Sequence, residues 1–217
     1  MTALTRFLRF VLAACSGWLV FFSYEPHGHW WAAVAGMSVF YLALMPWQRW
    51  PGTDRPSAVF GGLLGFTQAS FCYLYLLPWI GEFVGAMPYV ALSIFLALYG
   101  IATGVFGVIV ARWRFGFLAF ALIYLAVEFC RSSFPFGGFS WVRLAWGQIN
   151  GPLAALAPWG GPALISIAVA LAGAGLIVAI LQRGTQRWAG LVAAVLPLGL
   201  GTVAPVSYTH LTLPTTP

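Results

Sequence analysis

The 217-residue chain is 61% hydrophobic and only 6% charged, with a mean hydropathy of +0.91. Soluble domains carry about 25% charged residues, so a water-soluble globular fold is excluded and an integral membrane protein is indicated. The formal net charge of +6 rests on ten basic residues, all arginine; they are scattered at the ends of apolar runs, which marks topology and excludes a nucleic-acid-binding patch.

The first apolar run, residues 7–24, follows Arg6 and Arg9. Leu12-Ala13-Ala14-Cys15 resembles a lipoprotein cleavage box, but the run continues through Trp18 to Phe22 and so approaches the roughly 20 residues needed to span a bilayer. An uncleaved helix is predicted. The turn Glu25-Pro26-His27-Gly28-His29 sets two histidines at i and i+2, which is half of a metal site with no third ligand nearby, so no metal is expected. A second span is predicted over 30–45, followed by a polar loop over 48–56 with Arg49, Asp54 and Arg55.

The third span, 57–79, contains Gly61 and Gly65 and ends in the belt residues Tyr73, Tyr75 and Trp79. Glu82 is placed in a short loop before Pro88. The fourth span, 88–111, repeats the glycine spacing at Gly100 and Gly104, a pattern that favours close helix contact. A fifth is predicted over 115–130, a sixth over 153–181 and a seventh over 188–204, with a kink at Pro197. The fold class is therefore all-α, a polytopic membrane bundle of about seven transmembrane helices. Cys15, Cys72 and Cys130 lie in apolar segments without CxxC spacing and are expected as small buried hydrophobes, not as disulfides or metal ligands.

Cytoplasmic loops hold the excess of basic residues in membrane proteins. With the N-terminus inside, Arg6, Arg9, Arg49, Arg55, Arg112, Arg114, Arg183 and Arg187 are cytoplasmic, leaving only Arg131 and Arg143 outside. The loop 131–151 then faces outward, and it is also the most polar connection in the chain.

That loop belongs to residues 124–162, YLAVEFCRSSFPFGGFSWVRLAWGQINGPLAALAPWGGP, where the candidate functional residues concentrate. A charge in or beside a span is costly and is a functional hypothesis by default. Glu128 and Arg131 are i, i+3 neighbours on a helix surface. They form either a structural pair or, through Arg131, a contact to phospholipid phosphate, which the guanidinium geometry suits. Phe134, Pro135, Phe136, Phe139 and Trp141 either line an acyl-chain entrance or form an interfacial aromatic belt. Gln148 and Asn150 either orient lipid carbonyls or cap the turn into the sixth span. Arg131 could also lower the thiol pKa of Cys130, but no general base is placed beside it, so no catalytic residue is assigned.

Glu128-x-x-Arg131, Phe134-Pro135-Phe136-Gly137-Gly138-Phe139-x-Trp141, Leu144-Ala145-x-Gly147-Gln148, Gly151-Pro152-Leu153 and Leu156-Ala157-Pro158 before Gly160-Gly161 together resemble the apolipoprotein N-acyltransferases, in the Pro-Gly-Gly form of the actinobacterial branch. The resemblance implies a bacterial inner-membrane enzyme of lipoprotein maturation. Such an enzyme moves an acyl chain from a phospholipid donor to the N-terminal amine of diacylglyceryl-modified apolipoproteins through a cysteine thioester, without a cofactor. It also implies a nitrilase-like domain carrying the catalytic Glu, Lys and Cys after the seventh span. This chain contains no lysine and stops where that domain would begin, so it is expected to be a fragment inactive by itself.

Residues 1–205 are thus expected as the transmembrane bundle. Residues 206–217, VSYTHLTLPTTP, resemble translated vector or adaptor sequence and are expected to be non-native, so His210 carries no weight. Two other classes stay open. A small transporter would need midplane polar groups or repeated broken helices, whereas the spans hold isolated Ser, Thr and Gln68. A non-catalytic assembly subunit suits the composition but leaves the polar loop unexplained.

Overall fold

A computed structural model describes residues 1–49 and 52–203; the tail 206–217, with His210, lies outside the described residues. Among the described residues, seven helices of 15 residues or more match the seven predicted spans: α1 (Ala3–Phe22), α2 (Trp30–Leu44), α3 (Ala58–Leu76), α5 (Ala86–Val110), α6 (Gly116–Ser133), α7 (Ala157–Leu181) and α8 (Thr185–Val203). A short α4 (Pro78–Val84) joins α3 to α5, and three 3-10 turns precede α7. Five segments, α1, α3, α5, α6 and Pro152–Leu181, are long and apolar enough to cross a membrane. The chain is a membrane protein.

Local chemistry sets the boundaries. Thr2 caps α1 by accepting from the Thr5 amide at 3.3 Å, and Ser57 caps α3 by accepting from the Phe60 amide at 3.2 Å, each satisfying a helix N-terminal donor that otherwise has no intrahelical partner. Pro78 opens α4, where its missing N–H costs nothing. The predicted third span therefore ends early: Trp79 and Glu82 belong to α4, a separate helix with no buried residue, and not to a span and a loop.

The helices close a ring in which α1 packs on α3, α3 on α5, α5 on α6, α6 on α7, α7 on α2 and α2 back on α1, with α8 outside against α7. Lipid is as apolar as the side chains, so the ring is held by close packing and internal polar bonds. The two glycine pairs meet each other in the α3–α5 contact. A Cβ on Gly65 would stand 2.0 Å from the Gly100 carbonyl oxygen, and one on Gly104 would stand 1.9 Å from that of Gly61. Backbone meets backbone there, and no larger residue fits. α2 is apolar all round and packed on nearly every side, its Phe40 and Tyr41 rings lying 6.0 and 5.0 Å from Phe120 of α6.

Several expectations need correction. The polar loop over 48–56 contains an antiparallel hairpin, β1 (Trp47–Arg49) with β2 (Gly52–Asp54). α8 continues through Pro197, and an interruption that was not predicted lies in α7, at Gly160 (φ −161°) and Gly161 (φ +59°), immediately before Pro162. Proline lacks the N–H a helix interior needs and disfavours helical backbone before it, and glycine tolerates the left-handed backbone that results. Cys72 is buried, but Cys15 and Cys130 are on the outer surface of the bundle. In a membrane protein that surface meets hydrocarbon, so an apolar residue has no need of the protein core. Arg9, counted from sequence as a loop charge, is fully buried within α1.

Candidate functional site

α6 runs through Ser133, one turn past its predicted end, so Arg131 sits inside the helix beside Glu128. Both side chains are almost wholly buried, at 4% and 3% exposure. Their closest approach is 3.8 Å, and each has a shorter partner in the loop that follows. The Glu128 carboxylate accepts the Leu144 amide at 2.8 Å, while Arg131 donates to the Val142 carbonyl at 2.8 Å and to the Tyr73 hydroxyl on α3. A buried ion pair is tolerable only when its remaining hydrogen-bonding capacity is satisfied, and here backbone groups of residues 142–144 satisfy much of it. The pair is a clamp on the loop.

Other bonds tighten the same segment. The Tyr24 hydroxyl, at the end of α1, donates to the carbonyls of Val142 (3.3 Å) and Arg143 (3.0 Å). Arg143 Nε donates to Ser132 Oγ at 3.1 Å, and Ser166 Oγ on α7 accepts the Ala145 amide at 3.2 Å. Gln148, fully buried, donates to the Trp30 carbonyl at 3.0 Å, pinning the loop to the start of α2; its Oε1 has no protein partner. Asn150 donates to Glu25 at 2.7 Å across the surface.

The aromatic residues face the other way. Phe134, Phe136 and Trp141 are 71%, 105% and 68% exposed, with Pro135 half-buried between the two phenylalanines. Phe136 is in the left-handed region (φ +54°), followed by Gly137 (φ +88°) and Gly138 (φ +74°), a tight reversal that throws the ring outward. A Cβ on Gly138 would stand 2.1 Å from the Ser132 carbonyl carbon, so the turn presses directly on the end of α6. Trp141 lies 5.5 Å from Trp79 of α4, and Phe83 of α4 extends the apolar rim. Phe139 instead packs inward against the core.

Glu128, Arg131 and Gln148 are therefore brought together around the 142–148 backbone, whereas Phe134, Pro135, Phe136 and Trp141 form a separate outward rim. The sequence reading missed Tyr73, Tyr24 and Ser166 as partners of this loop. The available signal was a polar side chain inside or beside an apolar helix, at the end from which the loop leaves. No group of three His, Cys, Asp or Glu able to hold a metal occurs among the described residues. The Glu128 carboxylate is committed to the clamp, and the Cys130 thiol is exposed on α6.

The fold and the collar formed by residues 131–151 define a polytopic helical membrane protein in which the longest loop among the described residues is locked by buried charge and rimmed by exposed rings. The sequence model of the family described as "Apolipoprotein N-acyltransferase N-terminal domain" matches residues 16–175, and the chain belongs to that family. It is 35% identical over 192 residues to the apolipoprotein N-acyltransferase of Mycolicibacterium smegmatis, covering 82% of this chain and 30% of the relative. Identity to the enzymes of Photobacterium profundum and Pseudomonas putida is 28% and 32%, over 88% of this chain and 37% and 39% of theirs. The chain thus spans about a third of the length of the curated relatives it matches.

Proposed function

We propose that residues 1–205 form the membrane-embedded part of an apolipoprotein N-acyltransferase, and that the collar over 131–151 admits lipid substrates on the outer face of the bacterial inner membrane. The donor is a membrane phospholipid and the acceptor a diacylglyceryl-modified apolipoprotein. The observation that carries this reading is the segregation within one loop: Glu128 and Arg131 are buried beneath it, Arg143 is half-buried against Ser132, and the outward rim of Phe134, Pro135, Phe136 and Trp141 is itself uncharged and ring-rich. Acyl chains pass such a rim without meeting a desolvated charge. Glu128, Arg131 and Gln148 act on substrate through the loop they hold. The excess of arginines at the opposite end supports the outward orientation.

By itself this chain is expected to be inactive, because Cys72 is enclosed and neither Cys15 nor Cys130 has an activating base. The test is a chimera in which residues 1–203 replace the matching part of the M. smegmatis enzyme, assayed for acyl transfer from phospholipid to an apolipoprotein peptide. Transfer is expected, and Phe134→Ala/Trp141→Ala should raise KM for the phospholipid about tenfold with kcat little changed, the signature of lost uniform binding. A chimera that folds but transfers nothing, or a double variant with wild-type KM, refutes the proposal.

A further inference from the structure

The other end of the bundle contains a cleft that the acyl-transfer reading does not use. About 520 Å³ in volume, it opens where the ends of α2, α5 and α7 meet the starts of α3, α6 and α8. Such a volume lies within the range of small-ligand sites. Three arginines line it: Arg55 before α3, and Arg112 and Arg114 in the turn between α5 and α6. Trp47 and Trp113 flank them, and Gln182 and Gln186 complete the polar wall. Phe117, Val178 and Leu181 supply the apolar part of the lining.

The charge here is uncompensated. Among the described residues no carboxylate lies within 4.0 Å of these guanidinium groups, since the one ion pair at that distance is Glu128–Arg131 at the far end. Of the four acidic residues, Glu25, Glu82 and Glu128 sit at the collar end, and only Asp54 is near. The walls are also fixed in place. Arg112 Nη2 donates to the Pro56 carbonyl at 2.7 Å, and Gln186 donates to the Arg114 carbonyl at 2.7 Å, which ties the α5–α6 turn to the segment before α3 and to the first turn of α8. The result is a braced concavity with guanidinium donors at the level where apolar helices end, and with hydrocarbon-like walls beneath.

We infer that this cleft binds the phosphodiester headgroup of an anionic glycerophospholipid from the leaflet that meets this end. Guanidinium matches phosphate oxygens in bidentate geometry, and tryptophans at this depth suit the headgroup and glycerol region. The half-exposed Leu181, at the apolar edge of the lining, gives an attached acyl chain a contact that a free phosphate would not use. Arginines that only set topology need neither a shared concavity nor bracing bonds.

The experiment titrates phosphatidylglycerol into the 217-residue protein in phosphatidylcholine mixed micelles and follows the thermal unfolding midpoint. The wild type should be stabilised saturably. Each arginine near an anionic headgroup contributes about fivefold in affinity, so Arg55→Gln/Arg114→Gln should bind about 25-fold more weakly. The charge-matched control Arg183→Gln/Arg187→Gln removes two arginines at the same end but outside the cleft, and should keep wild-type affinity. Equal weakening of both variants, or of neither, overturns the site. Equal stabilisation by inorganic phosphate at the same concentration overturns the lipid assignment. If the glutamine variant unfolds in phosphatidylcholine alone, Arg55→Lys/Arg114→Lys takes its place. That pair keeps the charge but loses the fork geometry, and undiminished affinity would then count against the proposal.

Discussion

Arg9 and Arg131 lie near opposite ends of the bundle, and both are buried, at 0% and 4% exposure. Arg9 donates to the carbonyls of Ala43 (2.5 Å), Met45 (2.9 Å) and Asp54 (3.3 Å), and its guanidinium lies 4.0 Å over the Trp47 ring. Two of those carbonyls belong to the C-terminal end of α2, where helix dipoles leave partial negative charge. Arg131 uses a carboxylate, a phenol and one carbonyl. One arginine rivets a short hairpin to a helix end through backbone carbonyls and one indole ring, with no carboxylate of the described residues hydrogen-bonded to it. The other is neutralised by Glu128, so that a long loop is held firmly by a buried pair with no net charge. An end that closes on a short hairpin and an end that holds a long loop from beneath use different partners for the same side chain.

The sharpest way to break this comparison is to remove the neutralising partner. Glu128→Ala leaves Arg131 as an unpaired buried charge and the Leu144 amide without its acceptor, which should cost about 3–5 kcal/mol. Arg9→Met leaves only neutral carbonyls, some within reach of water, and should cost about 2 kcal/mol. Reversible unfolding in mixed micelles measures both. Adding Arg131→Met to Glu128→Ala should cost less than the sum of the single changes, because the pair is coupled. Equal losses for Glu128→Ala and Arg9→Met would show that the carboxylate has no special role.

The outer loop's own geometry gives a smaller effect. Gly138 and Gly137 are both left-handed, but only Gly138 touches the end of α6; nothing lies within 4 Å of a Cβ on Gly137. Gly138→Ala adds a backbone clash to the conformational cost and should lose about 2–4 kcal/mol, against about 1 kcal/mol for Gly137→Ala. Limited proteolysis between residues 134 and 142 should rise for the first variant and hardly for the second. Equal behaviour would mean that the turn does not brace the clamp.

The spans were legible because apolar length is nearly sufficient evidence for a membrane helix, and the glycine spacings marked both α3 and α5 for close helix contact, although only the fold shows that they meet each other. Glu128 and Arg131 stood out because charge is so rare in this chain. Arg9 was equally rare but was assigned to topology, since its partners are carbonyls, which every residue possesses and no sequence pattern marks. Tyr73 and Tyr24 were hidden for a related reason: tyrosine near a span end also fits an interfacial belt, and only the fold reveals that these two phenols point inward. The interruption in α7 went unpredicted because Gly160, Gly161 and Pro162 fall inside one long apolar run, which length alone reads as a continuous span.

The smallest expected effect concerns the surface tie at the collar end, where Asn150 Nδ2 meets Glu25 Oε1 at 2.7 Å and fastens the outer loop to the α1–α2 turn. Both residues are exposed, so Asn150→Ala should cost only about 0.5 kcal/mol. Asn150→Asp keeps the shape but sets a carboxylate opposite Glu25, turning attraction into repulsion. Its destabilisation should exceed that of the alanine variant at low ionic strength and fall to the same level at about 1 M salt, where the Debye length is about 3 Å. The buried Glu128–Arg131 clamp is shielded from counterions, and the loss caused by Glu128→Ala should be insensitive to the same change of salt. A salt-independent Asn150→Asp variant, or a salt-dependent Glu128→Ala variant, would show that the two layers of this end, one buried and one at the surface, are not electrostatically distinct.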